Sequence, residues 1–365
     1  MARLTLLLLL AALLSGCVSP LTQRIKVDDV AAENEAKKQR EVAVQSLMED
    51  RIRLFKVAYP LLTRTHALCG DKTRYLTGLM LGNNDFFGRE FRDAAASVYG
   101  FTDMIRVLHV VPDSPVEAAA IQANDMPVSV NGWLVPVGAE AMQGVHNKLT
   151  EAAAEGKPVA LVMQRGTERR ETQIQPVKAC DYAVTLSNED AINAYADGSK
   201  VVITRGMMRF AKDDVELSLV VAHELAHNAM SHRTAQTTNY VLGSIFDILA
   251  AAYGVNTQGA FGNIAASAYS QDFEAEADYV GLYMMATAGL EIQNAPNFWR
   301  RMAAAHPNSI GRNHASSHPS TPHRFISLEE AVKEIKAEQA SGAPLQPELK
   351  KDKPEDAAKD VAAEE

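Results

Sequence analysis

The stretch Val220–His232, VVAHELAHNAMSH, sets three histidines and a glutamate among small apolar residues. Polar groups in so apolar a helix cost free energy to bury unless something binds them. His223-Glu224-Leu225-Ala226-His227 has the spacing H-E-x-x-H. Residues four apart on a helix share a face, so His223 and His227 can grip one metal ion together. Glu224 then points beside that ion, where it can take a proton from an attacking water. The helix is expected to begin at Asp213 or Asp214, with Glu216 completing a capping box three residues after Asp213.

A catalytic zinc site needs a third protein ligand and an open position. In one peptidase layout that ligand is a histidine six residues after the second, with a glycine between. Arg233 and Met230 occupy those places, which excludes it. His232 follows His227 by five residues, about 140° round an ideal helix, and reads as supporting the site instead. The other layout draws a glutamate from a later helix. QDFEAEADYVGLYMMATAGL is such a helix, with Asp272 as N-cap and Gly289 as stop. Glu274 and Asp278 share a face there: Glu274 as third ligand, Asp278 as acceptor from a ligand histidine. Glu276, about 200° round from Glu274, is expected to face elsewhere, and Gly281 lets the two helices approach closely. One Zn2+ per chain follows. The competing reading, core histidines beside a solvated acidic cluster, leaves two separately placed motifs unexplained.

H-E-x-x-H followed by E-x-x-x-D, with NAYADGSKVVITRGMMRF just upstream, resembles the zinc peptidase family of the CAAX prenyl proteases, which includes the bacterial HtpX-type and BepA-type proteases. The resemblance covers about Cys180 to Leu328, with Leu61–Gly88 as a lesser part. It implies an edge strand along the cleft, in which Asn193, Ala194, Tyr195 and Ala196 pair with an extended substrate backbone. SHPSTPHR matches a further family element and implies that His318 and Arg324 approach the active site, where His318 contacts the metal or the reacting oxyanion and either His318 or Arg324 helps to stabilise that oxyanion. The run Tyr240–Val255 is apolar but contains Asp247 and is short for a membrane span, so a buried helix or a flap over the cleft is expected.

Ahead of this region the texture differs. IRVLHVVPDSPVEAAAIQANDMPVSVNG reads as strand, turn, short helix and strand, EAMQGVHNKLTEAAAEG as a helix, and PVALVMQRGTERRETQIQP as a hairpin. The order resembles a bacterial PDZ domain through Ser114-Pro115, Asp125 and Val130-Asn131-Gly132, and departs from it at AAIQAND. The resemblance implies a groove for C-terminal peptides with its carboxylate loop at Tyr99-Gly100-Phe101-Thr102, or else a spacer whose groove is blocked.

The first residues, MARLTLLLLLAALLSGC, read as a secretory signal. Leu14-Ser15-Gly16-Cys17 resembles the bacterial lipobox and implies lipidation of Cys17; with Val18 next, it also implies an outer-membrane anchor facing the periplasm. Cys69 and Cys180 are the remaining cysteines, and export suggests that they form one disulfide bracketing the PDZ-like segment; two separate thiols are the alternative. The net charge of -9 and the lack of a basic cluster exclude nucleic acid as a partner.

The expected fold class is α+β: a mainly helical zinc-peptidase domain with a small edge sheet, and an inserted β-rich PDZ-like domain. Its expected parts are a signal peptide 1–16, a linker and helix 17–60 ending near Pro60, a first peptidase segment 61–93, the PDZ-like domain 94–178, the peptidase domain 179–336, and a disordered acidic tail 337–365. The family and the address imply an envelope endopeptidase acting on unfolded or misassembled periplasmic and outer-membrane proteins. The alternative is a PDZ-based binding or chaperone-like protein whose zinc site is structural or plugged by His318.

Overall fold

The computed structural model describes residues 22, 25–138, 140–252, 255–260, 263, 270–307 and 322–348. Its spine is α1 (Asp29–Arg64), begun by Asp28, whose carboxylate accepts from the Ala31 N–H at 3.0 Å. At 1.5 Å per residue this helix runs about 54 Å. It does not end at Pro60 as expected. Leu61 and Leu62 beyond the proline are buried in the main core, and that burial outweighs the one backbone bond the proline forgoes. The helix therefore crosses the expected boundary at 60/61.

After α1 the chain enters β1 (Thr73–Leu76), which pairs antiparallel with the much later β8 (Val177–Cys180). Thr73 lies opposite Cys180 and Leu76 opposite Val177, and a disulfide joins Cys69 to Cys180 beside the ladder. Closing a loop of this length stabilises by up to about 4–5 kcal/mol through the unfolded chain. Cys180→Ser is therefore expected to lower the denaturation midpoint markedly in non-reducing buffer, with reduced wild type shifting equally. An unchanged midpoint would show that the bridge does not constrain the unfolded chain.

Everything from 77 to 176 is inserted at that ladder. β2 (Met80–Gly82) leads through α2 (Arg92–Tyr99) to β3 (Arg106–His109), its antiparallel partner. Then follow α3 (Pro115–Ala118), capped by Ser114, β4 (Met126–Val130), β5 (Trp133–Leu134), α4 (Ala141–Ala153), β6 (Val159–Arg165) and β7 (Glu168–Ile174). Four strands make one sheet in the order β5-β4-β6-β7. Asn131 and Gly132 both have positive φ, 47° and 79°, the conformation a two-residue hairpin between β4 and β5 requires. Alternate residues of β6, Val159, Leu161 and Met163, face a separate core with Val107, Val130 and Val145. That core reaches back to Leu81, so the inserted unit begins well before the expected residue 94. Tyr99–Thr102 is not a loop on its groove. Gly100 ends α2 in the left-handed conformation, and Phe101 is buried with Val44, Leu47 and Phe87 where α2 packs on α1.

The main core lies beyond β8. β9 (Ala183–Ser187), β10 (Ala194–Ala196) and β11 (Lys200–Thr204) form a sheet in the order β10-β11-β9, parallel for β9/β11 and antiparallel for β10/β11. Asp197 closes the β10–β11 turn, accepting from the N–H groups of Ser199 and Lys200 at 2.9 Å. The helices α5 (Arg205–Phe210), α6 (Asp214–Ala229), α7 (His232–Ala252), α8 (Ser270–Thr287), α9 (Ala295–Ala305) and α10 (Pro322–Ser341) follow. Leu217, Leu225, Leu282, Tyr283 and Leu328 fill this core together with Leu61 of α1.

Two further expectations are corrected. Within 240–255, Leu242, Phe246 and Ile248 of α7 are exposed, Ile248 by 69%, which overturns the buried helix of the two readings and leaves the flap. Among the described residues no helix is long and apolar enough to cross a membrane. The supposed tail from 337 stays packed to its eleventh residue: α10 continues to Ser341, Tyr283 Oη donates to Glu338 at 3.0 Å, Leu345 touches the main core and Pro347 is buried. Cys17 and residues 349–365 lie outside the described residues.

Candidate metal centre

α6 and α8 bring the two motifs together. Asp213 caps α6, accepting from the Glu216 N–H at 2.9 Å, and the helix runs unbroken through His223 and His227 to Ala229. α8 crosses it at Gly281. A Cβ there would stand 3.1 Å from the backbone nitrogen of His223 and 3.2 Å from its Cα, so only a glycine gives this approach without displacing one helix. That closeness carries Glu274 and Asp278 to the histidines.

His223 Nε2 lies 3.4 Å from Glu274 Oε2, His227 Nε2 lies 3.3 Å from Glu274 Oε1, and the two Nε2 atoms are 3.1 Å apart. Two atoms each about 2.1 Å from one ion at a tetrahedral angle lie about 3.4 Å apart, so the spacing fits zinc. The donor set fits as well: two imidazoles and a carboxylate, all buried or nearly so, form a metal-competent group among the described residues. Glu224 is buried too, and it lines a cleft of about 370 Å³ together with His227, Glu274 and Tyr195.

Each histidine is held from behind. His223 Nδ1 is 3.0 Å from Asp278 Oδ1. Arg324, 5% exposed, donates from Nη2 to Asp278 Oδ1 at 2.8 Å and from Nε to Asp278 Oδ2, and its Nη1 reaches Glu274 Oε2 at 3.1 Å. Its guanidinium also stacks over Trp299, 4.8 Å from the ring centroid. Burial works to lower the pKa of His223, but the Asp278 and Glu274 carboxylates together raise it to about 9. Burial works to raise that of Asp278, while Arg324 and His223 hold it below the usual carboxylate range. His227 is lowered, chiefly by burial.

Arg324, expected at the reacting oxyanion, points its donors at Asp278 and Glu274 instead. A buried cation is drawn to the nearest buried carboxylates, so it clamps the ligand side of the site. His318 lies outside the described residues. Asn193 adjoins β10, accepting from the Thr204 N–H at 3.2 Å, and Ala194, Tyr195 and Ala196 form β10 itself. β10 is an edge of its sheet among the described residues, and Tyr195 and Ala196 line the same cleft as Glu224.

His232 is placed otherwise than by continuing α6. The helix ends at Ala229 with Met230 as its cap, Ser231 takes a positive φ of 57°, and His232 opens α7. The reversal turns its ring back onto His227, with the two Nδ1 atoms 2.9 Å apart. Glu276 leaves the face of Glu274 as expected, and His232 meets it there at 2.7 Å. Sequence reasoning missed this contact, and it missed Trp299, whose ring lies 4.9 Å from that of His223.

Residues 159–332 match the sequence profile of Peptidase family M48. The chain is 27% identical over 160 residues to the Mitochondrial metalloendopeptidase OMA1 of Arabidopsis thaliana, covering 42% of this chain and 32% of that protein. It is 30% identical over 144 residues to the protein of the same name in Schizosaccharomyces pombe, at 38% and 42% coverage. It is 32% identical over 134 residues to the Beta-barrel assembly-enhancing protease of Yersinia pestis, at 32% and 27% coverage. The chain thus matches less than half the length of these relatives. A crystal structure of the HtrA3 PDZ domain with a phage-derived ligand aligns with 29% of the chain at 22% identity, but its TM-score of 0.21 is too low to assign a fold.

Proposed function

From a chain that carries a peptidase family M48 domain, we propose a zinc-dependent endopeptidase of the bacterial cell envelope that degrades unfolded or misassembled periplasmic and outer-membrane proteins. One observation carries the reading: His223, His227 and Glu274 converge at zinc-like spacing, with Glu224 in the same cleft and the edge strand β10 beside it. Bound there, zinc would polarise the scissile carbonyl and ease deprotonation of an attacking water. Glu224 takes that proton and returns it to the leaving amine. β10 offers its free backbone groups to an extended substrate, which favours unfolded chains over folded ones. Asp278 keeps the His223 proton on Nδ1, so that Nε2 is left for the metal.

The envelope address rests on the signal-like start ending at Cys17 and on the Cys69–Cys180 disulfide, which belongs in an oxidising compartment. The inserted unit is read as PDZ-like. Its peptide site would be the cavity of about 220 Å³ between Tyr75–Leu79 and α4, where His146 and Leu149 face Tyr59 of α1.

The test uses purified protein and casein as an unfolded substrate. One zinc per chain is expected, with cleavage lost on chelation and restored by stoichiometric zinc. Full zinc occupancy without any cleavage would overturn the enzymatic reading.

A further inference from the structure

We propose that Glu276, acting through His232, is a positioning residue that fixes the tautomer of His227. The inference rests on the zinc reading above and concerns residues behind the ligands. His227 turns Nε2 toward Glu274 and His223, so as a ligand it must keep the lone pair there and carry its proton on Nδ1. That Nδ1 lies 2.9 Å from His232 Nδ1. Two ring nitrogens at this separation need one donor and one acceptor, so His232 Nδ1 accepts. The proton of a neutral His232 then sits on Nε2, 2.7 Å from Glu276 Oε2, an acceptor in its ionised form. One arrangement of protons thus satisfies both contacts of His232 along Glu276–His232–His227.

The surroundings hold this arrangement in place. His232 is 2% exposed, and Phe273 stacks on its ring at a centroid distance of 4.7 Å. The left-handed Ser231 fixes where the ring starts from. The two ligand histidines are therefore supported unequally. His223 meets a buried carboxylate directly, and Arg324 clamps that carboxylate. His227 is supported through a second imidazole by a carboxylate whose side chain is 46% exposed. The metal site thus has one arm anchored in the core and one anchored at the surface.

The test uses the full chain, zinc-loaded, with 15N-labelled histidine. The wild type is expected to show a through-hydrogen-bond 15N–15N coupling between His227 Nδ1 and His232 Nδ1, with the His232 proton on Nε2. Zinc affinity, measured by chelator competition, is expected to fall about 10–100-fold in Glu276→Ala and in His232→Phe. Glu276→Gln keeps an acceptor oxygen and is expected to recover most of that loss. If His232→Phe does not fold, the half-exposed Glu276→Ala and the wild-type spectrum still decide. A proton on His232 Nδ1 in the wild type, or an affinity of Glu276→Ala within about twofold of wild type, overturns the relay. A wild type that takes up no zinc overturns the metal reading itself, and the relay with it.

Discussion

Glu224→Gln is expected to lower the turnover of an unfolded substrate about 10²–10⁴-fold while leaving bound zinc unchanged. The substitution keeps the shape of a side chain that lies buried beside the cleft, so packing is preserved. It removes the basic oxygen that must accept a proton from the attacking water and return it to the amine. Glu224 is not among the three groups that converge on the metal position, so zinc content should stay at one per chain. Cleavage of casein and metal analysis of the same preparation check both halves. Undiminished cleavage would remove Glu224 from the mechanism, and lost zinc would make it a ligand.

Arg324→Met should have the largest effect on stability, about 3–5 kcal/mol in the zinc-free protein. Arg324 is buried against two carboxylates, Asp278 and Glu274, that are themselves 4% and 3% exposed. Removing the cation leaves two buried anions without their main positive partner. Among the described residues His223, whose pKa is raised by those same carboxylates, and His227, 3.3 Å from Glu274, stand closest to offset them. Zinc should recover part of the loss, because it supplies positive charge at Glu274. Denaturant titration with and without zinc measures both effects. A loss under about 1 kcal/mol would mean that the clamp is solvated rather than buried.

The parts of this site that sequence reveals are those written within one helix. The four-residue spacings of His223/His227 and Glu274/Asp278 determine a shared face whatever the tertiary structure, and Gly281 marks a close crossing without naming its partner. Geometry within one helix is silent about the neighbouring one. The angle of Glu276 about α8 says correctly that it leaves the face of Glu274, yet His232 comes to meet it from another element. His232 could not be placed by counting along α6, because the left-handed Ser231 breaks the helix and restarts it. SHPSTPHR brings Arg324 to the site, but its partners Asp278 and Glu274, and the contact of Trp299, depend on how α9 and α10 fold back over it. The turn at Asp197-Gly198 is legible between two strand-like runs because positive φ and Asx bonding are properties of those residues. Pro60 misled because a proline reports the cost to its own helix and not the burial of Leu61 beyond it. The apolar run in α7 misled in the opposite way: hydrophobicity suggested burial, and Phe246 and Ile248 lie exposed.

If the chain is the peptidase proposed above, the Cys69–Cys180 bridge bears on the hazard of cutting by its own copies. The 110 residues between the two cysteines include the whole inserted unit. A single cut anywhere among them leaves both pieces covalently joined, with β1 still paired to β8. Such a nicked molecule would keep α1 and the main core in register, run as one species without reductant, and separate into two only when the bridge is opened. Damage to the inserted unit would thus be tolerated as a scar instead of becoming a loss of the main core.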